Sequence, residues 1–214
     1  MGEVFRDSMD AFLSPGERAI RRKVRDHFQS RGSVDGPDPS RAAGPPSPGG
    51  LLKGLGFAGE GGRPGSFESA LVIEEVSALS PRLGRALARA AAGQAGTEAA
   101  AGELAWAVGS AAALLEACRG AAREKGLFQS TLMGHQRTQG DLAETFTAVQ
   151  AVRLKAYRAL RLIDRGERDR GDAELALAAG EAAAVHGRAV ALAAALLGEG
   201  GLAEMMPEDE RSRS

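Results

Sequence analysis

The stretch from Ala122 to Tyr157 constrains the fold of this chain most strongly. It has the pattern of one helix end, a short turn at Gly126 and most of a second, long helix. Core positions in the second helix recur at alternating intervals of four and three, which is the spacing of a helix side packed against other helices. These positions are Leu142, Phe146, Val149, Arg153, Ala156, Leu160 and Ile163. The pattern therefore predicts a helical bundle.

Further helices are predicted on both sides of this stretch. In the C-terminal part the boundaries are Glu103–Lys125, Gln136–Asp164 and Asp172–Leu197, the last ended by the glycines at 198–201. In the N-terminal part, a helix begins where Ser14 and Glu17 form a capping box around Pro15. The remaining two N-terminal helices are predicted over Phe67–Leu79, with Ser66 as the cap, and over Arg82–Ala92.

Strand signals are nearly absent, so the predicted fold class is all-α. The expected organisation has four parts: an N-terminal helical region over 1–92 with a Pro/Gly-rich loop at 30–66, a linker at 93–102, a C-terminal helical bundle over 103–207, and a polar tail at 208–214. With 214 residues, the chain is long enough to bury a sizeable core.

The composition argues against several kinds of partner. A net charge of −1 gives no basic footprint for nucleic acid or for an acidic membrane surface. The alanine-rich run Ala173–Leu197 is interrupted by charged residues, which favours a helix outside the membrane. The first residues lack the apolar core of a signal peptide, and the single cysteine fits a reducing compartment, so a cytoplasmic location is expected.

Motifs for other chemistries are weak. Gly54, Gly56 and Gly59 satisfy GxGxxG, but a Pro-rich segment precedes them where a dinucleotide site needs a strand. The histidines, His27, His135 and His186, lie on separate segments, so neither a metal site nor a histidine-based triad is expected. Cys118 lies within an apolar helix and is interpreted as a core residue.

Arg153 is the charged member of the helical seam, and two structural interpretations remain open. Its aliphatic stem could pack while its head group reaches solvent at the rim. Alternatively it could form a buried ion pair, for which Glu116 and Asp141 are the candidate partners.

The same central stretch resembles the acyl-CoA dehydrogenases. Their C-terminal helical domain carries an "ER-x-x-FG…FQ-x-x-Q-x-x-LAD…aaR-x-L-x-y" pattern, which this chain matches at Glu124, Lys125, Phe128, Gln136, Gln139, Leu142, Ala143, Glu144, Arg153, Leu154 and Tyr157. The N-terminal helices and the segment around "ALLGEGGLAEMMPEDER" also resemble the family.

The resemblance implies a set of cofactor positions. Lys125, Phe128 and Gln136 correspond to residues that contact FAD, and family cofactors are bound across a subunit interface. Lys125 replaces an arginine, which keeps the charge but loses the bidentate fork. Gln129 and Glu199 replace family glycines and Ala195 replaces a glutamine; the carboxylate of Glu199 is expected to repel a diphosphate.

The resemblance also implies that parts of the enzyme are missing. The linker at 93–102 is too short for the family's middle β-domain, which covers the flavin. The catalytic glutamate of most members lies in a segment beyond Ser214, and the alternative position on the helix falls at Ala99. Glu98 is one residue away and is turned by about 100° around the helix. No catalytic residue is therefore predicted.

Three functions follow from these expectations. The first is an acyl-CoA dehydrogenase-like subunit, degenerate or non-catalytic, that associates with a full-length FAD-dependent paralogue in acyl-thioester oxidation; Lys125, Phe128 and Gln136 would then contact FAD at the interface. The second is a flavin-free helical module that forms dimers or tetramers with itself. The third is an FAD-dependent acyl-CoA oxidoreductase that is active alone.

Overall fold

A computed structural model describes residues 10–30, 53–54, 65–92, 96–127 and 130–206. Its α-helices are α1 (Pro15–Ser30), α2 (Ser66–Leu79), α3 (Pro81–Ala92), α4 (Thr97–Glu124), α5 (Gln136–Asp164) and α6 (Arg168–Met205). Between α4 and α5 lie two short antiparallel strands, β1 (Gly126–Leu127) and β2 (Ser130–Thr131), and a 3-10 turn at Leu132–Gly134. The all-α prediction is confirmed. Most of the loop at 30–66, most of the GxGxxG motif and the tail at 208–214 lie outside the described residues.

Helix α4 lies at the centre of the bundle and packs against α2, α3, α5 and α6. Most of its residues are small, and they remain buried along much of its length. Gly109 shows how closely the neighbouring helix approaches, because a Cβ atom there would lie 2.6 Å from the Cβ of Ser77 on α2. Small side chains thus allow several helices to surround one, and the buried side chains form one continuous core.

Helix α1 begins as the capping box predicts. The backbone N–H of Ser14 donates to the Glu17 carboxylate at 2.6 Å, and the N–H of Glu17 donates to the Ser14 hydroxyl at 3.2 Å. Two buried contacts hold this helix on α2, since Arg21 and Arg25 each donate to the Glu75 carboxylate. Burial alone would raise the pKa of Glu75, but the two guanidinium groups hold it below its usual range.

The cap of α2 differs from the prediction. The capping residue is Gly65 rather than Ser66. The N–H groups of Ser66 and Phe67 instead donate to the carboxylate of Asp164, at 2.9 and 3.1 Å. This carboxylate comes from the end of α5, so the orphan donors of one helix are satisfied by a distant segment.

The predicted start of the central helix at Glu103 was wrong, since α4 already begins at Thr97. Gly96 takes a positive φ of 86° just before the helix, and so supplies the break in the chain. Gly102, which had suggested a linker, is a helical residue at a close contact: a Cβ atom there would lie 3.3 Å from the Cβ of Ala91 on α3.

Helix α6 is longer than predicted. It spans Arg168–Met205, and its backbone breaks at Gly198, where φ is 78° and ψ is 173°. The predicted helix end at the glycines 198–201 therefore coincides with a break in the backbone, but the chain is helical again beyond that break.

Arg153 forms a buried ion pair, and both candidate partners were wrong. Its Nε lies 2.9 Å from Oε1 of Glu74 on α2, and the two side chains are 1% and 6% exposed. Glu116 pairs with Arg119 within α4, and Asp141 lies 4.0 Å from Arg137 within α5. The buried hydroxyl of Tyr157 also donates to Glu74, at 3.2 Å.

One described helix, α6, has the length and composition that a membrane span would need. Helices in the cores of soluble proteins pass the same test, and α6 packs against α4 and α5 along its inner side. Length and composition therefore do not assign α6 to a membrane.

Candidate functional site

The turn between α4 and α5 holds the residues that the resemblance singled out. Lys125 follows the last residue of α4, and its ammonium group donates to the backbone carbonyl of Leu196 on α6 at 2.5 Å. Leu196 lies two residues before the break at Gly198. A break in a helix leaves backbone carbonyl groups without partners, and a lysine ammonium group is well suited to donate hydrogen bonds to them. Lys125 therefore stabilises the end of the straight part of α6.

The other two predicted residues are placed differently. Gln136 is the first residue of α5 and is exposed, with no described contact to Lys125. Phe128 lies outside the described residues. The structure thus brings Lys125 next to the glycine-containing segment of α6 and leaves Gln136 facing outward.

The break at Gly198 turns the chain back along the bundle. The carbonyl of Ala203 accepts a hydrogen bond from Arg82 on α3, and Met206 is buried beside Ser110 on α4. Glu199, which replaces a family glycine, is exposed. The segment from Glu199 to Met206 is therefore a short return strap held by α3 and α4.

The resemblance aligns the alternative catalytic position with Ala99, whose side chain cannot ionise. Ala99 lies there on the first turns of α4, and the neighbouring Glu98 is half-buried. Glu103 lies four residues later and therefore on the same side of the helix. Glu103 forms a close ion pair with Arg85 of α3.

A groove lies between α3, α4 and α6, with a volume of about 620 Å³. Alanine and other small apolar residues form most of its walls. Arg85, Glu103, Trp106 and His186 provide its polar and aromatic groups. The guanidinium of Arg85 lies 4.3 Å from the centre of the Trp106 ring, a cation–π contact.

One lining residue of the groove, His186, belongs to a buried polar pair. The hydroxyl of Ser110 is 3.1 Å from Nε2 of His186, and the imidazole ring lies 4.7 Å from that of Trp106. Burial, assisted by the charge of Arg85, lowers the pKa of His186 to about 4. The ring is therefore neutral near pH 7. Among the described residues no carboxylate contacts it, so this pair lacks the orienting acid of a catalytic triad.

Sequence reasoning missed this group of residues. No cysteine or carboxylate stands at ligand spacing from His186 in the sequence, and no motif marks Trp106. The available signals were the single tryptophan of the chain and a histidine within an alanine-rich helix. Neither signal reveals that α4 and α6 bring the two rings into contact.

The interpretation of Cys118 as a core residue is confirmed. Cys118 is a free, fully buried thiol, and burial raises its pKa to about 12, so it is not a nucleophile near neutral pH. Within the described part of the chain, no group of three or more His, Cys, Asp or Glu side chains could hold a metal ion.

A comparison with family models shows to which protein family this chain belongs. Residues 90–213 match the family model described as "Acyl-CoA dehydrogenase, C-terminal domain", which is more than half of the chain. This chain belongs to the acyl-CoA dehydrogenase family. Searches of curated proteins and of solved structures found no match. The predicted resemblance is confirmed, while the N-terminal helices before residue 90 lie outside the matched range.

Membership places the chain among acyl-CoA dehydrogenase-like proteins, a family of oxidoreductases that is FAD-dependent in general. Among the described residues, those that the resemblance aligns with cofactor positions are placed as follows. Lys125 donates to a backbone carbonyl, Gln136 is exposed, and Glu199 adds a negative charge close to the break in α6. The groove near Trp106 includes none of these three residues.

Proposed function

We propose that this acyl-CoA dehydrogenase family member is a non-catalytic subunit that associates with a full-length, FAD-containing paralogue. The observation that carries the proposal is the junction between α3 and α4. Helix α3 ends at Ala92 and α4 begins at Thr97, so only residues 93–96 connect them. Full-length members carry a whole β-domain in this part of the chain, and a connection this short leaves no room for one.

The absence of a base at the alternative family position supports the same proposal. Proton abstraction needs a carboxylate within hydrogen-bond reach of the substrate. Ala99, at the position that the resemblance assigns to the base, has no such group. Oxidation of an acyl thioester would therefore take place on the partner, which supplies both the flavin and the base.

The outer side of α6 offers a surface for this association. Its exposed residues are small and recur every three or four positions; they are Ala173, Ala176, Gly180, Ala184, Gly187, Ala191 and Ala195. Small side chains allow another helix to approach closely. Leu177 on the same helix is 71% exposed and adds an apolar contact.

Lys125 and Gln136 have a supporting part in the proposal. Both are exposed at the same end of the bundle, where the family binds its cofactor between subunits. In a mixed assembly Lys125 would exchange its contact with the Leu196 carbonyl for the diphosphate of the partner's FAD. Gln136 would provide an additional hydrogen bond. The assembly is expected in the cytoplasm.

Co-expression of the tagged chain with a full-length acyl-CoA dehydrogenase from the same genome tests the proposal. We expect the two proteins to copurify with bound flavin, whereas the chain purified alone should be colourless. A stable, colourless oligomer of this chain that captures no paralogue would instead support the flavin-free interaction module. A flavin-loaded chain that oxidises acyl-CoA alone would contradict both.

A matched pair of variants tests the contact surface. Ala184→Glu places a charge on the outer side of α6, while Ala143→Glu makes the same change on an exposed position of α5. The first variant should abolish copurification and the second should retain it. Circular dichroism of each isolated variant establishes that both remain folded, and equal retention by the two variants would exclude α6 as the contact surface.

A further inference from the structure

We propose that the groove between α3, α4 and α6 binds an aliphatic carboxylate, with the guanidinium of Arg85 holding its head group. This proposal does not rest on the proposed association with a paralogue, although Gly187 and Ala191 line the groove and also belong to the exposed side of α6 described above. It uses neither Lys125 nor Gln136, and the ligand is a free acid rather than a thioester.

The dimensions of the groove fit a small ligand. Its volume of about 620 Å³ lies within the range of small-molecule sites. On one wall the lining residues of α6 extend from Ala179 to Ala194, which at 1.5 Å per residue corresponds to roughly 22 Å. Most of these residues are alanine or valine. An extended alkyl chain can therefore lie along α6 without displacing a large side chain.

Arg85 is held in place before any ligand arrives. Its side chain is only 11% exposed, and its guanidinium stacks on Trp106. Trp106 is itself fixed, because its indole N–H donates to the carbonyl of Pro81 at 3.0 Å. A preorganised guanidinium loses little conformational entropy on binding, and its planar fork matches a carboxylate.

Glu103 acts as an exchangeable partner of Arg85. It is 44% exposed, so its carboxylate can move into solvent at little cost, unlike the buried guanidinium. A ligand carboxylate can take its position on Arg85 while the apolar tail covers the alanine wall. Glu103 then competes with the ligand, and this competition distinguishes a carboxylate site from a merely apolar groove.

Fluorescence of Trp106 provides the measurement, because it is the only tryptophan in the chain. The purified full-length chain is titrated with octanoate, 1-octanol and octylamine at equal concentrations below micelle formation. Octanoate should change the Trp106 emission in a saturable way, and the alcohol and the amine should have little effect. Equal binding of octanol would show that the apolar wall alone accounts for ligand binding. It would overturn the proposal that Arg85 holds a carboxylate head group.

Three variants separate the roles of the charged groups. Glu103→Gln removes the competing carboxylate and should tighten octanoate binding by up to about fivefold, the upper value for an ion pair with one solvent-exposed partner. Arg85→Gln should weaken it by more than about tenfold, since a charge-assisted hydrogen bond is lost. Arg89→Gln, one turn later on α3 and exposed, is the matched control and should bind normally. Unchanged or weaker binding by Glu103→Gln would reject the proposal, even if Arg85→Gln failed to fold.

Discussion

The guanidinium of Arg153 on α5 lies 2.9 Å from the carboxylate of Glu74 on α2, in the interior of the bundle. Both groups are almost completely removed from water, and Gln150 and Tyr157 provide further hydrogen bonds. Removing water from two charges costs a large free energy, which their mutual attraction and these hydrogen bonds must offset. The pair therefore ties two distant parts of the chain together, and it tolerates the loss of neither member.

Breaking this pair should strongly destabilise the fold. Glu74→Gln leaves the charge of Arg153 buried without a counter-ion, and we expect the free energy of unfolding to fall by about 3–5 kcal/mol. Urea denaturation followed by circular dichroism measures the change. The control is Glu181→Gln, which breaks the exposed Lys155–Glu181 pair and should cost less than about 1 kcal/mol. Equal losses in the two variants would show that burial does not set the strength of the Arg153 pair.

His186 should make the fold sensitive to moderate acid. Its pKa is lowered from 6.5 to about 4 in the folded chain, so between these values the unfolded chain binds more protons than the folded one. Stability is then complete above the unfolded pKa and decreases as the pH falls from 6.5 towards 4, by about 3 kcal/mol in total. Urea denaturation at a series of pH values measures this loss.

The variant His186→Gln separates this effect from other acid-sensitive groups. A glutamine retains a hydrogen bond to Ser110 but does not titrate, so its stability should change much less between pH 6.5 and 4. Glu75 also contributes acid sensitivity, because its pKa is held low in the folded state; that loss develops as the pH falls through the ordinary glutamate value of 4.5. Parallel curves for the wild type and the variant between about pH 6.5 and 5 would contradict the assigned pKa of His186.

The contact of α4 with α2 at Gly109 should not tolerate a side chain. A Cβ atom at this position would overlap the backbone carbonyl of Glu74 and lie 2.6 Å from the Cβ of Ser77. We expect Gly109→Ala to destabilise the fold by about 1–3 kcal/mol, the usual cost of overpacking. Gly120 lies on the same helix with nothing within 4 Å of such an atom. Gly120→Ala should therefore raise the stability by up to about 1 kcal/mol through helix propensity, and thermal unfolding of both variants distinguishes the two effects.

Local signals in the sequence were sufficient for the helices, but not for their contacts. The capping box at Ser14 and the seam around Val149 depend on neighbouring residues, and both are present as predicted. The partner of Arg153 is Glu74, which lies far away in the sequence, so no local pattern identifies it. The predicted partners lie on α4 (Glu116) and on α5 itself (Asp141), whereas the packing of α2 against α5 decides the pairing.

The contacts of the candidate site also depend on residues that are far apart in the sequence. Lys125 could be singled out by resemblance, but its contact with the Leu196 carbonyl depends on the break in α6. The glycines at 198–201 indicated a helix end rather than a turn followed by more helix. The contacts of Arg85 with Glu103 and Trp106 require α3 and α4 to lie side by side, which the predicted linker at 93–102 did not suggest.

Gly198 is the position where the backbone itself requires glycine. Its φ of 78° and ψ of 173° fall in a region that is essentially restricted to glycine, so Gly198→Ala should destabilise the return strap by about 1–3 kcal/mol. Gly200 lies two residues later within the helical segment, with open space around it. Gly200→Ala is therefore the matched control and should leave the strap intact.

Amide hydrogen exchange over Glu199–Met206 measures the difference between the two variants. We expect faster exchange in Gly198→Ala alone, because the contacts of Ala203 and Met206 depend on the sharp turn. Equal exchange in both variants would mean that the contacts with α3 and α4, rather than the turn at Gly198, hold the strap in place.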